Sequence, residues 1–153
     1  MQLVKTSIDI NAPPSVVRQT FLDFPSYPEW NPFITSIESP IPSPTAGTRI
    51  KFVANGRPIE STVLENTPQT FNWKGTFIAE WFFAGQHYFD FEPLGELGDG
   101  GETTSCKLVQ YEKFTGIAVW PFMLLLRGPT EKGFNEMNKA LKARVEERHP
   151  RSS

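Results

Sequence analysis

Only one segment of this chain has the pattern of a long helix, and it lies at the C-terminal end. Its apolar residues recur at helical spacing and form a single stripe: Phe134, Met137, Leu141 and Val145. We predict a helix over residues 130–147, with Gly128 and Pro129 breaking or kinking any helical stretch that begins earlier. A sheet elsewhere in the chain must bury its apolar face, and this helix is the only long element available to cover it.

Most of the remaining chain alternates between apolar and polar residues, which is typical of half-buried strands. Strands are predicted over residues 3–10, 33–38, 48–54, 57–65, 70–77, 81–92 and 103–114. Residues 13–23 have helical spacing, and the proline-rich segment 27–32 fits a tight turn or a second short helix. Asn55 and Gly56 form a hairpin turn signal, and residues 95–101 are predicted to be a flexible hairpin loop.

Short turns between successive strands favour an antiparallel meander. The predicted fold is therefore α+β: a curved antiparallel sheet of about seven strands wrapped round a long C-terminal helix, with two short helices after the first strand. Residues 1–148 are predicted to form one domain, and residues 149–153 a frayed C-terminal tail.

Charge and cysteine content exclude several classes of protein. The chain of 153 residues has a formal net charge of -2, and its charges are mixed along the sequence. It therefore lacks the basic footprint that nucleic-acid binding requires. Cys106 is the only cysteine, so no internal disulfide can form. The N-terminal residues lack the pattern of a secretion signal, and a reducing, cytoplasmic setting is expected.

Aromatic residues are abundant, with 13 Phe, 4 Trp and 3 Tyr. Such rings suit either a thick core or a cavity for a ring-bearing ligand. His87 and His149 are the only histidines, and the sequence has neither a glycine-rich phosphate loop nor a nucleophile elbow. We therefore expect no metal site and no bound cofactor.

Five short segments carry a likeness to a known superfamily. They are residues 10–14 (INAPP), 27–33 (YPEWNPF), 85–89 (GQHYF), 112–116 (EKFTG) and 133–142 (GFNEMNKALK). Together with the order of the elements, they resemble the SRPBCC superfamily of START and Bet v 1-like helix-grip domains, and in particular its polyketide cyclase/dehydrase-like branch. The resemblance spans essentially the whole chain and implies an internal cavity for a small apolar molecule. It does not imply one activity, because the superfamily includes lipid carriers, hormone receptors, ubiquinone-binding proteins and polyketide cyclases.

His87 is the first candidate for chemistry. Strand alternation places it on the same face as Phe83, Phe89 and Phe91, so its imidazole is expected to point into an apolar interior. The ordinary pKa of an imidazole suits proton transfer near neutral pH, which makes His87 a candidate general acid or base. A buried, hydrogen-bonded structural histidine is the alternative.

Glu112 is the second candidate, because it shares a face of the last strand with Gln110 and Phe114. A buried carboxylate needs a partner, and the hairpin through residues 95–101 brings this face towards the preceding strand. We therefore expect a contact between Glu112 and His87, in which the carboxylate orients the imidazole or simply completes a polar pair. A slip of one residue in the register would turn both side chains outward.

Ligand-binding positions are expected on the inner face of the sheet, in the turn after the first helix and on the final helix. They are Trp30, Asn31, Phe52, Trp73, Phe83, Phe89, Gln110, Phe134 and Met137. The resemblance implies that the turn with Trp30 and Asn31 packs near the cavity mouth. Core packing for Trp30 and turn capping for Asn31 are the simpler interpretations. Gln110 or Asn31 is a candidate to hold a substrate oxygen.

Residues 117–126 form the longest apolar run. This run has ten residues, whereas a membrane-spanning helix needs about twenty. We interpret it as part of the core, with a lid, a dimer contact or a membrane-touching surface as alternatives.

Three functions are consistent with the sequence. The leading hypothesis is the binding of a small hydrophobic, ring-containing molecule of lipid-like or polyketide-like chemistry. The second is a cofactor-independent cyclase, dehydratase or isomerase that uses His87 for proton transfer. The third and weaker hypothesis is a protein-interaction domain that docks through residues 117–126, with a homodimer as one form of such an interaction.

Overall fold

The computed structural model describes residues 1–150. Its strands are β1 (Gln2–Ile10), β2 (Ile34–Glu38), β3 (Arg49–Ala54), β4 (Arg57–Asn66), β5 (Thr70–Phe77), β6 (Phe83–Leu97) and β7 (Thr103–Thr115). Its helices are α1 (Pro14–Leu22), α2 (Tyr27–Trp30) and α3 (Val119–Arg148). A single 3-10 turn, Phe24–Ser26, joins α1 to α2.

The strands form one antiparallel sheet in the order β1-β7-β6-β5-β4-β3-β2. Strands β2 to β7 follow one another as a meander, and β1 pairs with β7. The sheet curls into a half-barrel around α3, and the two short helices follow β1 directly. The predicted α+β helix-grip fold is therefore confirmed.

One end of the space between the sheet and α3 is filled by aromatic rings. The ring of Phe21 in α1 contacts three rings of the sheet, with centroid separations of 5.2, 4.5 and 5.6 Å to Phe71, Phe89 and Phe91. The Tyr27 hydroxyl donates to the Phe21 carbonyl oxygen at 2.7 Å, which holds α2 against α1. All these side chains are fully buried, so this end of the molecule is a solid hydrophobic core.

The sixth strand differs from its predicted extent. It begins at Phe83 and continues to Leu97, so part of the predicted 95–101 loop is strand. A register shift between Leu94 and Leu97 lets the hairpin continue past Gly95, whose φ of +84° favours glycine. Trp81, the first residue of the predicted strand 81–92, lies in the loop before β6 and is exposed.

The C-terminal helix is longer than predicted, because α3 begins at Val119 and continues through Pro129. Proline has no N–H group, so the carbonyl group of Leu125, four residues earlier, loses its helical partner. The turn before the helix is nevertheless anchored, since the Ala118 N–H donates to the Phe82 carbonyl oxygen at 2.9 Å. Tertiary contacts of this kind outweigh the local preference of a proline.

The interpretation of residues 117–126 as core is wrong for most of the run. Met123 is buried, but Trp120 and Leu124 are 70% and 84% exposed. The reason is that the run is helical, and only one side of a helix can face the sheet. Other large apolar side chains are exposed at the end of β5, in the loop before β6 and at the start of α3. Together we call these exposed side chains the apolar rim: Phe77, Ile78, Trp81, Ile117, Trp120, Leu124 and Leu125.

The predicted tail, residues 149–153, is only partly described, because residues 151–153 fall outside the described part of the chain. The His149 N–H donates to the Val145 carbonyl oxygen at 2.8 Å, which ties the first tail residue to the end of α3. Within residues 1–150, none of the helices combines the length and the apolar character needed to cross a membrane.

Candidate functional site

A cavity of about 1230 Å³ lies between the sheet and the first half of α3. Its walls come from β5, β6, β7, the β3–β4 hairpin and residues 122–136. The other end of the same interior is filled by the rings around Phe21. The inner face of the sheet therefore has a solid half and a hollow half.

Aromatic side chains dominate the cavity wall. Among the described residues, those that line it are Phe33, Phe52, Trp73, Phe77, Phe83, Phe114 and Phe122. Neighbouring rings touch: the centroids of Phe52 and Trp73 are 5.0 Å apart, and those of Phe83 and Phe122 are 5.2 Å apart. Strand alternation produces this wall, because every second residue of β5 and β6 faces inward. Flat rings at these separations present an apolar surface that fits a ring-bearing molecule.

The cavity opens beside the apolar rim. Phe77 and Leu125 belong to the rim, line the cavity and are exposed. Arg57 and Lys132 are exposed basic residues that border the same cavity from the β3–β4 hairpin and from α3. The mouth therefore combines apolar and charged side chains. Of the three carboxyl groups that line the cavity, those of Glu60 and Glu136 are exposed, whereas Glu112 is half-buried.

The imidazole of His87 lies between two phenyl rings. Its centroid is 4.5 Å from that of Phe89 and 4.6 Å from that of Phe134, and both pairs are stacked. The residue is 4% exposed, and it lines the cavity. Burial disfavours the imidazolium and lowers the pKa of His87 from 6.5 to about 3. The unfolded chain therefore binds a proton here at a higher pH than the folded chain, and this contribution to stability is lost as pH falls from 6.5 to about 3.

Buried hydrogen bonds determine which nitrogen of His87 carries the hydrogen. His87 Nε2 lies 3.0 Å from Gln110 Oε1. The amide nitrogen of Gln110 donates to Asn138 Oδ1 at 2.6 Å and to the Phe134 carbonyl oxygen at 3.4 Å. Because a carbonyl oxygen only accepts, the amide nitrogen of Gln110 must face Phe134 and its amide oxygen must face His87. His87 therefore donates from Nε2, and Nδ1 keeps its free lone pair.

These hydrogen bonds close into a ring that includes β1. Asn138 Nδ2 donates to Thr6 Oγ1 at 2.9 Å, and Thr6 Oγ1 donates to the Gln110 carbonyl oxygen at 3.0 Å. We call the four buried residues His87, Gln110, Asn138 and Thr6 the polar network. It joins β1, β6, β7 and α3. Each of the four side chains donates to an acceptor, which is the condition for a stable buried network.

Glu112 lies directly opposite His87 in the pairing of β6 with β7. Its carboxyl group rests over Gly85, at a place that any side chain at position 85 would occupy. Among the residues that the structure describes, Glu112 has no hydrogen-bond or ion-pair partner. Without a partner, burial favours the protonated form and raises the pKa of Glu112 from 4.5 to about 8. Near pH 7 Glu112 is therefore a neutral carboxylic acid.

The expected contact between His87 and Glu112 takes a different form. The two residues are cross-strand neighbours, but the imidazole is hydrogen-bonded to Gln110 and not to the carboxyl group. Stacking between Phe89 and Phe134 fixes the plane of the imidazole, and within that plane Nε2 bonds to Gln110 Oε1. The carboxyl group of Glu112 therefore does not orient the imidazole.

Polar groups on β6 and β7 determine what chemistry this side of the cavity can support. In residues 1–150, no three or more His, Cys, Asp or Glu residues are grouped so that they could hold a metal ion. Beside its rings, the part of the wall formed by β6 and β7 offers an acceptor, Nδ1 of His87, and a donor, the protonated carboxyl group of Glu112. Such a pair can bind a polar group of a ligand, and the carboxylic acid can also deliver a proton.

The other predicted ligand-binding residues fall into two groups. Phe52, Trp73 and Phe83 line the cavity. Those that do not line it are Trp30, Asn31, Phe89, Gln110, Phe134 and Met137. Phe89 and Phe134 pack against the two faces of the His87 ring, and Met137 lies in the core. Phe89, Phe134 and Met137 face inward, as the strand alternation and the helical stripe predict, but they lie in the filled part of the interior.

Trp30 and Asn31 pack at the junction of α2 and β2. Asn31 Oδ1 accepts hydrogen bonds from the Phe33 and Ile34 N–H groups at 3.0 and 2.9 Å. The ring of Trp30 packs on Tyr27, with the centroids 5.0 Å apart. Trp30 Nε1 and Asn31 Nδ2 are buried without a hydrogen-bond partner in the described chain. This geometry is that of a capped turn against the core.

Sequence reasoning missed three residues that shape the site: Thr6, Asn138 and Gly85. Asn138 lies on the apolar stripe of α3, four residues after Phe134. A polar residue at such a position signals a buried hydrogen bond. Gly85 interrupts a row of large inward side chains on β6, and a glycine within a strand marks a place where another group approaches closely.

The raised pKa of Glu112 leads to a prediction about stability. In the range from pH 4.5 to about 8 the unfolded chain has released this proton and the folded chain keeps it, so the free energy of unfolding falls as pH rises. Glu112→Gln cannot ionise and should gain stability relative to the original protein between pH 5 and pH 8. Urea denaturation across this range measures the difference. Glu147→Gln, at an exposed position, corrects for the change in net charge. If the difference in the free energy of unfolding between Glu112→Gln and the original protein did not change with pH, the prediction would be wrong.

Solved structures of other proteins share this fold. A protein from Thermobifida fusca is 16% identical, with a TM-score of 0.73, and the match covers 100% of this chain and 99% of that chain. A START superfamily protein from Mycobacterium smegmatis is 17% identical, with a TM-score of 0.68 and coverage of 95% and 97%. Ara h 8.0201 is 16% identical, with a TM-score of 0.66 and coverage of 94% and 97%. At these identities the likeness supports the fold alone.

One family description fits nearly the whole chain. The sequence model of the family described as polyketide cyclase / dehydrase and lipid transport matches residues 1–146. No curated protein matches the chain. The match agrees with the observed helix-grip fold, which is the fold of the SRPBCC superfamily. The likeness to a START superfamily protein is consistent with the same assignment. The chain therefore belongs to the polyketide cyclase / dehydrase and lipid transport family.

Proposed function

We propose that this protein binds a small hydrophobic, ring-containing molecule of lipid-like or polyketide-like chemistry in its cavity. The observation that carries the proposal is the cavity of about 1230 Å³ with a wall of aromatic rings. Pockets for small ligands typically have volumes of about 300–1,000 Å³ and mostly apolar walls. The space between the sheet and α3 is therefore large enough for a molecule of several fused or linked rings.

The composition of the wall supports an apolar ligand over a charged one. The basic residues that line the cavity, Arg57 and Lys132, are exposed and lie at its mouth. Deeper in the cavity, the rings of Phe52, Trp73 and Phe83 are not accompanied by a cation that could neutralise a buried anion. Because an unpaired buried charge is strongly unfavourable, the inner part of the ligand is uncharged.

A substitution inside the cavity tests this proposal. Ala54 lines the cavity at the end of β3, and Ala54→Trp should fill the neighbouring space and weaken naphthalene binding at least about ten-fold, equivalent to about 1.4 kcal/mol. The neighbouring Val53 does not line this cavity, so Val53→Trp adds the same side chain outside it and should bind naphthalene as the original protein does. Calorimetric titration measures both constants.

Mass spectrometry of the natively purified protein gives an independent test. Molecules released from the purified protein should include an apolar, ring-containing compound in stoichiometric amount. If neither an apolar compound nor naphthalene binds, the cavity is not a binding site for such molecules and the proposal is wrong. Equal naphthalene affinity of Ala54→Trp and Val53→Trp would place binding elsewhere on the protein.

A cofactor-independent cyclase or dehydratase is the second candidate. In this hypothesis His87 is the acid or base and Glu112 assists it, but a neutral imidazole with a pKa of about 3 is a weak base. The observation that favours catalysis is the protonated carboxyl group of Glu112 at the cavity wall, which can donate a proton to a substrate oxygen. A ligand recovered chemically unchanged after incubation with the protein would exclude this candidate.

The protein-interaction hypothesis has a separate observation in its favour. The apolar rim exposes large side chains, including Trp81 and Trp120. Contiguous exposed apolar surface is typical of contact sites between proteins. If the rim forms a homodimer, Trp120→Glu should shift the sedimentation coefficient of the protein to that of a monomer.

A further inference from the structure

Two neighbouring polar atoms of the cavity wall have no partner within the protein. Nδ1 of His87 has a free lone pair, because the polar network takes up the hydrogen on Nε2. The carboxyl group of Glu112 has no partner in residues 1–150 and lies above Gly85. His87 is 4% exposed, and both His87 and Glu112 line the cavity. A donor and an acceptor without protein partners, on paired residues of a cavity wall, indicate a place for a bound polar group.

The two residues are close enough to act on one ligand atom. His87 and Glu112 are paired directly across β6 and β7 and share the inner face. The Cβ atoms of such a pair are typically about 4.5–5.5 Å apart. A single oxygen atom at roughly 2.8 Å from each polar group can therefore bridge them.

The directions of the two hydrogen bonds restrict the chemistry of that oxygen. The protonated carboxyl group of Glu112 donates, so the ligand oxygen must accept. His87 Nδ1 only accepts, so the same ligand group must also donate. A hydroxyl group does both, whereas an ether or a carbonyl oxygen only accepts.

We propose that the ligand of this cavity carries a hydroxyl group, phenolic or alcoholic, which accepts a hydrogen bond from Glu112 and donates one to His87 Nδ1. The inference rests on the proposed binding function and specifies the ligand class for that site. A ligand without a hydroxyl group would exclude water from these polar atoms without replacing its hydrogen bonds, which lowers its affinity.

The polar network gives the position its direction. If the Gln110 amide were reversed, its nitrogen would face His87, and Nε2 would become the acceptor while Nδ1 carried the hydrogen. The Phe134 carbonyl oxygen and Asn138 Oδ1 prevent that reversal, since both require a donor from Gln110. Residues that never touch the ligand therefore determine that His87 accepts a hydrogen bond from it.

Three probes of nearly equal shape test the inference: naphthol, its methyl ether and naphthalene. Naphthol makes both hydrogen bonds, the ether can only accept from Glu112, and naphthalene makes neither. Calorimetric titration at pH 6 should give affinities in the order naphthol, ether, naphthalene, with roughly five- to ten-fold between successive probes.

Two variants assign each difference to one residue. Glu112→Met removes the donor and should make the ether and naphthalene bind equally. His87→Phe keeps a ring between Phe89 and Phe134 and should make naphthol and the ether bind equally. Circular dichroism checks that each variant is folded. If His87→Phe does not fold, Glu112→Met alone decides, because it removes an unpartnered group and leaves the polar network unchanged.

The outcomes separate this inference from the function on which it rests. Equal affinity of all three probes for the original protein would confirm an apolar binding site and overturn the hydroxyl assignment. An aminomethyl analogue of naphthalene that binds more tightly than naphthol would also overturn it, in favour of a cationic ligand paired with Glu112. If none of the probes binds, the proposed function and the hydroxyl assignment are both wrong.

Discussion

Replacing Asn138 with leucine is expected to lower the free energy of unfolding by about 3 kcal/mol. The Asn138 amide accepts from Gln110 and donates to Thr6, and all three side chains are buried. Leucine has a similar size but removes the acceptor of one Gln110 N–H and the donor to Thr6 Oγ1, and each lost buried hydrogen bond costs about 1–3 kcal/mol. It also releases one of the two acceptors that hold the Gln110 amide in its orientation.

Urea denaturation measures the loss, and the helix itself supplies the control. Asn135 lies on the exposed side of α3, so Asn135→Leu makes the same change without touching the polar network. It should change the free energy of unfolding by no more than about 0.5 kcal/mol. Equal effects of Asn138→Leu and Asn135→Leu would mean that the network contributes nothing to stability.

Gly116→Ala is expected to lower the free energy of unfolding by about 3 kcal/mol as well, for a reason that lies in the backbone. Gly116 has a φ of +112°, and a Cβ atom there would overlap the carbonyl group of Phe82. That carbonyl oxygen accepts the hydrogen bond from Ala118 that anchors the start of α3. An alanine must therefore either adopt a strained conformation or separate the loop before β6 from the helix.

Gly56→Ala separates the cost of the backbone conformation from the cost of the overlap with Phe82. Gly56 also has a positive φ, +74°, but nothing lies within 4 Å of the position that a Cβ atom would take. Its alanine variant should lose about 1 kcal/mol from the backbone conformation alone. Thermal and urea unfolding of the two variants measure the difference. If both variants lose the same amount, the close approach of Phe82 to Gly116 contributes nothing.

Periodicity predicted the fold because each element has one buried face. The stripe from Phe134 to Val145 is buried in the second half of α3, and the alternation in β6 and β7 correctly turns His87 and Gln110 inward. The length of α3 before Pro129 was not predictable in this way. A proline opposes a helix locally, and only contacts with the preceding loop, remote in sequence, offset that preference.

The site was less predictable than the fold. Alternation shows that Phe83 and Phe89 face inward, but it cannot show that Phe83 lines a cavity while Phe89 lies under α1. The hydrogen-bond partner of His87 was not predictable for a related reason. Gln110 is held in place by Asn138, a residue 28 positions further along the chain, and no local pattern links the two.

The division of β6 between a filled and a hollow half affects how such a protein can change over generations. Along β6, the residues that pack the core, Phe89 and Phe91, are separate from those that line the cavity, such as Phe83 and Gly85. A mutation at a core position lowers the stability of the fold, whereas a mutation at a cavity position alters mainly which molecules fit in the cavity. One scaffold can therefore acquire new ligands by successive substitutions without passing through unfolded ancestors.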